Sequence, residues 1–198
     1  MAVRKGELKE AAFIGEYLKK SPKKRIYELI GHFDDFDDYR ERYKEYTVNL
    51  MVMMREHRNR SAEADTWVKV QTFGDMSDQT FDAVSERLTL EQNFVNRKIS
   101  RKMFPDSYEY RLVSTAAFEW NLMEKEYRIL RSFVDLMKPS DRGLLIPYIR
   151  KEKEIADIAA ELCVEHESAN KKVYRIRKAL LDNMLPWFKE YKMAVPAY

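Results

Sequence analysis

Between Tyr110 and Met137 an apolar side chain returns every third or fourth residue without a break: Tyr110, Val113, Ala117, Trp120, Met123, Tyr127, Leu130, Val134, Met137. Eight steps cover 27 residues, close to the heptad period that lines one side of an α-helix with a continuous seam. A strand alternates its side chains with period two and cannot present that series on one face. The same spacing recurs upstream. Phe36, Tyr39, Tyr43, Tyr46, Leu50, Met53 and His57 step by three and four, predicting a helix of about 22 residues. Phe81, Val84, Leu88, Val95, Ile99 and Met103 predict another over about 79–103. Glycine and proline together contribute eleven of 198 residues, about half of average usage. That scarcity excludes an all-β or glycine-rich nucleotide-binding architecture. The expected class is all-α.

Punctuation divides the remainder. Residues 7–20 read as a short amphipathic helix stopped by Ser21-Pro22, and a second short helix runs to about Ile30, near Gly31. Residues 58–77 lose the pattern. Thr66 to Phe73 alternates weakly, as a short extended piece would, and Gly74 and Ser77-Asp78 read as a loop and a helix cap. Pro105-Asp106 precedes the long seam and Lys138-Pro139 closes it. The expected organisation is a helical bundle over 1–138, serving oligomerisation or contact with a partner, followed by a second domain over 139–198. The long seam is expected to pair mostly within the chain, with a homodimer as the alternative.

Several function classes find no carrier in this sequence. One cysteine, Cys163, excludes a disulfide within the chain and a cysteine-based zinc cluster, and is read as a small buried filler. His32, His57 and His166 lie too far apart to form a spaced ligand pair, and His57 is read as a core-edge residue. Asp34, Asp35, Asp37 and Asp38 lack the residue order of a calcium loop and are read as a solvated helix start favoured by the helix dipole. No phosphate-binding glycine loop and no nucleophile signature occurs, so no enzyme, catalytic residue, cofactor or metal is expected. No apolar run approaches the roughly 20 residues that span a bilayer. The chain is expected to be cytoplasmic, away from membranes.

Charge is close to balanced, at +3, but unevenly placed. Lys19 to Arg25 is basic, and Lys171, Lys172, Arg175, Arg177 and Lys178 stand against Glu167 alone over residues 166–180. That second stretch belongs to a recognisable plan. Glu154 to Leu162 predicts a short helix, Cys163-Val164-Glu165 a three-residue connection, and the chain from His166 a longer helix with Ala169, Val173, Ile176 and Leu180 inward. Ile155, Ile158, Ala159 and Leu162 are expected to pack on Val164, Ala169 and Val173. The outer side then presents Glu165, His166, Ser168, Asn170, Lys171, Lys172, Tyr174, Arg175 and Lys178 to a nucleic-acid groove. Lys171, Lys172 and Arg175 suit phosphates, while His166, Ser168 and Asn170 suit base edges. Cys163 stands where such turns carry glycine, and Pro147 is expected to kink or end the helix over 140–149.

The words Pro139-Ser-Asp-Arg-Gly-Leu-Leu145, Ile155-Ala-Asp-Ile-Ala-Ala-Glu-Leu162, Val164 and Val173-Tyr-Arg-Ile-Arg-Lys-Ala-Leu180 resemble region 4 of bacterial sigma factors. With a long helical segment before it, the chain is similar to the ArpU/RinA-type regulators of Gram-positive phages. The resemblance implies a sigma-like helix-turn-helix that binds double-stranded DNA in the bacterial host cytoplasm. It also implies activation of phage or prophage late genes, with bacterial RNA polymerase as a partner. Two other readings of the same residues are a small-terminase-like DNA-packaging subunit and a protein-interaction module built on a helix-turn-helix that no longer binds DNA. Glu165 and Glu167 point toward the last.

Overall fold

A computed structural model describes residues 13–65 and 79–189. Among them every regular element is helical: α1 (Glu16–Lys19), α2 (Pro22–Gly31), α3 (Phe36–Asp65), α4 (Gln79–Val95), α5 (Ser107–Asp135), α6 (Pro139–Ile149), α7 (Ile155–Leu162) and α8 (His166–Met184), then a 3-10 turn over Leu185–Trp187. The extended piece expected over Thr66 to Phe73, and most of the helix expected over 7–20, lie outside the described residues. No described helix is long and apolar enough to cross a membrane. Helix starts follow the punctuation. Pro22 and Pro139 each occupy the first turn, where a missing N–H costs no helical bond. α6 ends at Ile149, two residues beyond Pro147.

The described residues divide into two compact units, one comprising residues 13–16, 41–65 and 79–121, the other residues 17–40 and 122–189. The expected boundary at 138/139 therefore falls inside the second unit. The division itself falls within α3 and within α5.

In the first unit, Tyr43, Thr47, Val48, Leu50 and Met51 of α3, Leu90 and Phe94 of α4, and Leu112, Val113, Ala116, Ala117 and Trp120 of α5 are buried. Two of the predicted seams are corrected here. On α3, Tyr46 is 64% exposed, and Met53 and His57 also face outward. A straight helix has 3.6 residues per turn, so a three-four series drifts off one face and Thr47 takes the inward place. α3 also runs on to Asp65, well past the expected end near residue 57. On α4 the predicted face is the outer one: Phe81 is 67% exposed and Val84 and Leu88 accompany it, while Leu90 and Phe94 are sealed. Ile99 and Met103 do not belong to this helix. Arg97 adopts a left-handed conformation (φ 55°), and the Lys98 N–H closes on the Asn93 carbonyl at 2.8 Å.

α5 bears out most of its seam; Tyr110 and Tyr127 are half-buried, and Met137 lies past the helix end at Asp135. Val113, Ala117, Trp120, Met123, Leu130 and Val134 are buried, and a second row (Leu112, Ala116, Leu122) is buried beside them. That second row also contains two carboxylates seven residues apart, Glu119 and Glu126. Glu119 lies in the first unit. It accepts the Gly15 N–H at 2.7 Å and the Tyr43 hydroxyl at 2.5 Å. Gly15 has φ 84°, a conformation that glycine adopts without the steric cost other residues incur.

Glu126 lies in the second unit. The Arg25 guanidinium, 0% exposed, donates to it through Nε and Nη2, each at 3.0 Å, and the Tyr17 hydroxyl adds a bond of 2.7 Å. Arg25 also donates to the Lys20 carbonyl at 3.0 Å and the Lys189 carbonyl at 2.6 Å. It thus joins the start of α2, the middle of α5 and the segment after α8. Burial pushes the Glu126 carboxyl up, against the opposing pull of Arg25 and Tyr17. Burial, and then the nearby Glu126 charge, holds the Tyr17 hydroxyl well above its ordinary range. In the same unit Leu18, Ile26, Leu29, Leu130, Leu145, Ile158 and the inner side of α8 are buried.

Asp37 and Asp38 sit in the first turn of α3, exposed, where the dipole favours them. Asp34 pairs with Arg150 at 2.9 Å and Asp35 with His32 at 3.0 Å.

Candidate nucleic-acid interface

α7 and α8 are joined by Cys163, Val164 and Glu165. The Asp157 carboxylate accepts the Glu154 N–H at 2.8 Å, fixing the start of α7. Its end is a reciprocal closure: the Val164 N–H bonds the Ala159 carbonyl at 3.0 Å and the Cys163 N–H the Ala160 carbonyl at 3.2 Å. Cys163 takes the left-handed position, φ 52° and ψ 44°. A side chain there costs on the order of 1 kcal/mol that glycine would not incur. Cys163 is exposed, which corrects its reading as a buried filler. Val164, expected to pack between the helices, is 43% exposed.

α8 is anchored as its spacing predicts. Ala169, Val173, Ile176 and Leu180 are all buried, joined by Leu181 and Met184 near the end. Ile158 and Ala159 of α7 are buried opposite, and the small Ala159 allows close approach. α8 also packs against α6, α2 and the 3-10 turn.

All nine residues expected to face a groove are exposed: Glu165, His166, Ser168, Asn170, Lys171, Lys172, Tyr174, Arg175 and Lys178. Lys171, Tyr174, Arg175 and Lys178 follow each other at helical spacing and form one ribbon opposite the buried quartet. Asn170 and Lys172 flank it. Glu165 occupies the N-cap with extended backbone (ψ 148°), and Glu167 in the first turn pairs with Lys171 at 2.6 Å. The ribbon is therefore less positive at its start than at Arg175 and Lys178.

Arg177 belongs elsewhere. Its guanidinium lies over the Tyr27 ring, 4.7 Å from the centroid, so it ties α8 to α2. Tyr27 is not a candidate from sequence. Its only sequence signal is its place in a basic helix with no evident link to residue 177. Arg25, counted in the basic stretch Lys19 to Arg25, is in the core and adds nothing to the surface. Among the described residues no group of three or more His, Cys, Asp or Glu is placed to hold a metal ion. No family model, characterised protein or solved structure matches this chain.

Proposed function

We propose that the chain is a sequence-specific DNA-binding regulator of transcription whose helix α8 enters the major groove. The observation that carries this reading is the two-sidedness of α8. A fully buried apolar quartet holds it down, and an exposed basic ribbon with an aromatic and several amide, hydroxyl and imidazole groups faces out. The short helix α7 and the three-residue connection supply the frame of a helix-turn-helix. The resemblance of residues 139–181 to sigma region 4 supports the same reading. It extends it to a late-gene activator of a phage or prophage whose bundle forms a homodimer or contacts bacterial RNA polymerase.

Recognition divides by chemistry. Lys171, Lys172 and Arg175 neutralise phosphates, and His166, Ser168 and Asn170 meet base edges near the start of the helix. The exposed carboxylates Glu165 and Glu167 favour a second reading, a protein-contact module on the same scaffold, because they repel phosphate.

Selection of bound duplexes from a random library separates the two. A recovered motif, bound more tightly than scrambled DNA at two salt concentrations, supports the regulator. Salt-dependent binding without a motif points to a packaging role of the small-terminase kind, and no binding at either salt to the protein-contact module.

A further inference from the structure

Given DNA contact by α8, we infer that α2 is the element that grips the phosphate strand bordering the groove, through Lys23 and Lys24. The major groove is about 12 Å wide, and packed helices lie about 8–10 Å apart. A helix packed beside one that fills the groove is thereby brought over the bordering phosphates. α7, α6 and α2 all pack on α8.

Their charges differ. α7 with its N-cap carries Glu154, Asp157 and Glu161, all exposed, and no lysine or arginine. The first helix of a helix-turn-helix ordinarily crosses the backbone, and here that side repels it. On α6, Arg142 reaches the Asp135 carbonyl, and Arg150, which follows its last residue, is paired with Asp34. α2 exposes Lys23 and Lys24, and its one carboxylate, Glu28, is engaged by Lys20 at 2.6 Å and by the Tyr39 hydroxyl at 2.9 Å.

The placement of these lysines is fixed from both ends. Lys24 and Lys23 precede Tyr27 by three and four residues, so they share its side of α2, and Tyr27 is the ring covered by Arg177 of α8. Arg25, between them and Tyr27, is locked in the core on Glu126 and on the Lys189 carbonyl just beyond α8. The two ammonium groups therefore stand on a helix pinned to α8 at its middle and beyond its end. Exposed lysines held beside a reading helix suit phosphate, which every sequence offers equally, so α2 contributes affinity without contributing sequence preference.

The test compares the full chain with its Lys23→Gln/Lys24→Gln variant, and with Lys171→Ala and Arg175→Ala, on the selected duplex and on scrambled DNA across a salt series. Removing both ammonium groups from the phosphates shallows the slope of log K against log salt by about 2, with the ratio of specific to scrambled binding unchanged. An unchanged slope in the α2 variant, with shallower slopes in the α8 variants, overturns the role of α2 and leaves DNA binding by α8 standing. A fall in the specific-to-scrambled ratio also overturns it, since a grip on phosphate does not select sequence. If the unaltered chain binds neither duplex at the lowest salt, the DNA-binding reading fails, and the inference built on it fails too.

Discussion

Glu119 and Glu126 stand seven residues apart on one helix, both buried, and they are satisfied in opposite ways. Glu119 takes a backbone N–H and a tyrosine hydroxyl. Glu126 also takes a tyrosine hydroxyl, but its other partner is a fully buried guanidinium. The contrast teaches where the risk in a buried charge lies. At Glu119 these two partners are neutral dipoles. At Glu126 the group left behind is a cation with no access to water.

The largest expected effect follows from that asymmetry. Glu126→Gln leaves Arg25 charged and unpaired, and stability falls by about 3–5 kcal/mol, read from the denaturant midpoint. Replacing both partners, Arg25→Met with Glu126→Leu, recovers most of that loss, because an ion pair exchanged for apolar groups is often near neutral. If the double variant is as unstable as the single one, the pair does more than neutralise itself. Glu119→Gln comes next, at about 1–3 kcal/mol, the cost of imperfectly satisfied buried polar groups. A loss at Glu119 equal to that at Glu126 would break the comparison.

The smallest effects concern the two hydroxyls. Tyr17→Phe and Tyr43→Phe each remove one buried hydrogen bond, worth about 1–2 kcal/mol when the acceptor is a carboxylate. Tyr17 adds a pH signature. Its folded-state pKa is raised, so above pH about 10 the unfolded chain loses a proton that the folded chain keeps. Stability then falls with rising pH, by about 1.4 kcal/mol per unit for this one group. Tyr17→Phe should flatten that alkaline limb in denaturant titrations, and an unaltered limb would assign it to other groups.

Much of the frame was legible from spacing. The starts at Pro22 and Pro139 follow from one fixed φ and one missing donor. The α5 seam and the inward quartet of α8 follow from helical period alone. The outward ribbon Lys171, Tyr174, Arg175 and Lys178 was legible for the same reason, since fixing Ala169, Val173, Ile176 and Leu180 inward leaves it the opposite side.

What was hidden is what depends on partners far away in sequence. Arg25, Glu119 and Glu126 look like surface residues among other charges. Acceptors and donors 76 to 164 residues distant help make their burial tolerable. On α4 the pattern holds two apolar stripes, Phe81-Val84-Leu88 and Leu90-Phe94, and period alone does not rank them. The chain seals the second. At the interface, the basic stretch before Tyr27 was visible, but the ring contact that brings α2 to α8 was not. A guanidinium over an aromatic face has no sequence spacing.

The long reach of Arg25 also bears on how the protein is made. Its carboxylate partner lies 101 residues further along the chain, and the Lys189 carbonyl 164 residues further. At about 5–20 residues per second of synthesis, Arg25 waits about 5–20 s for Glu126 to be added, and longer for residue 189. During that interval Ile26, Leu29 and Ile30 of the same helix have no completed core to enter. The helix proposed to grip DNA is thus made well before the residues that hold it in place. Until the later helices are added, the apolar side of that segment lacks the partners that bury it.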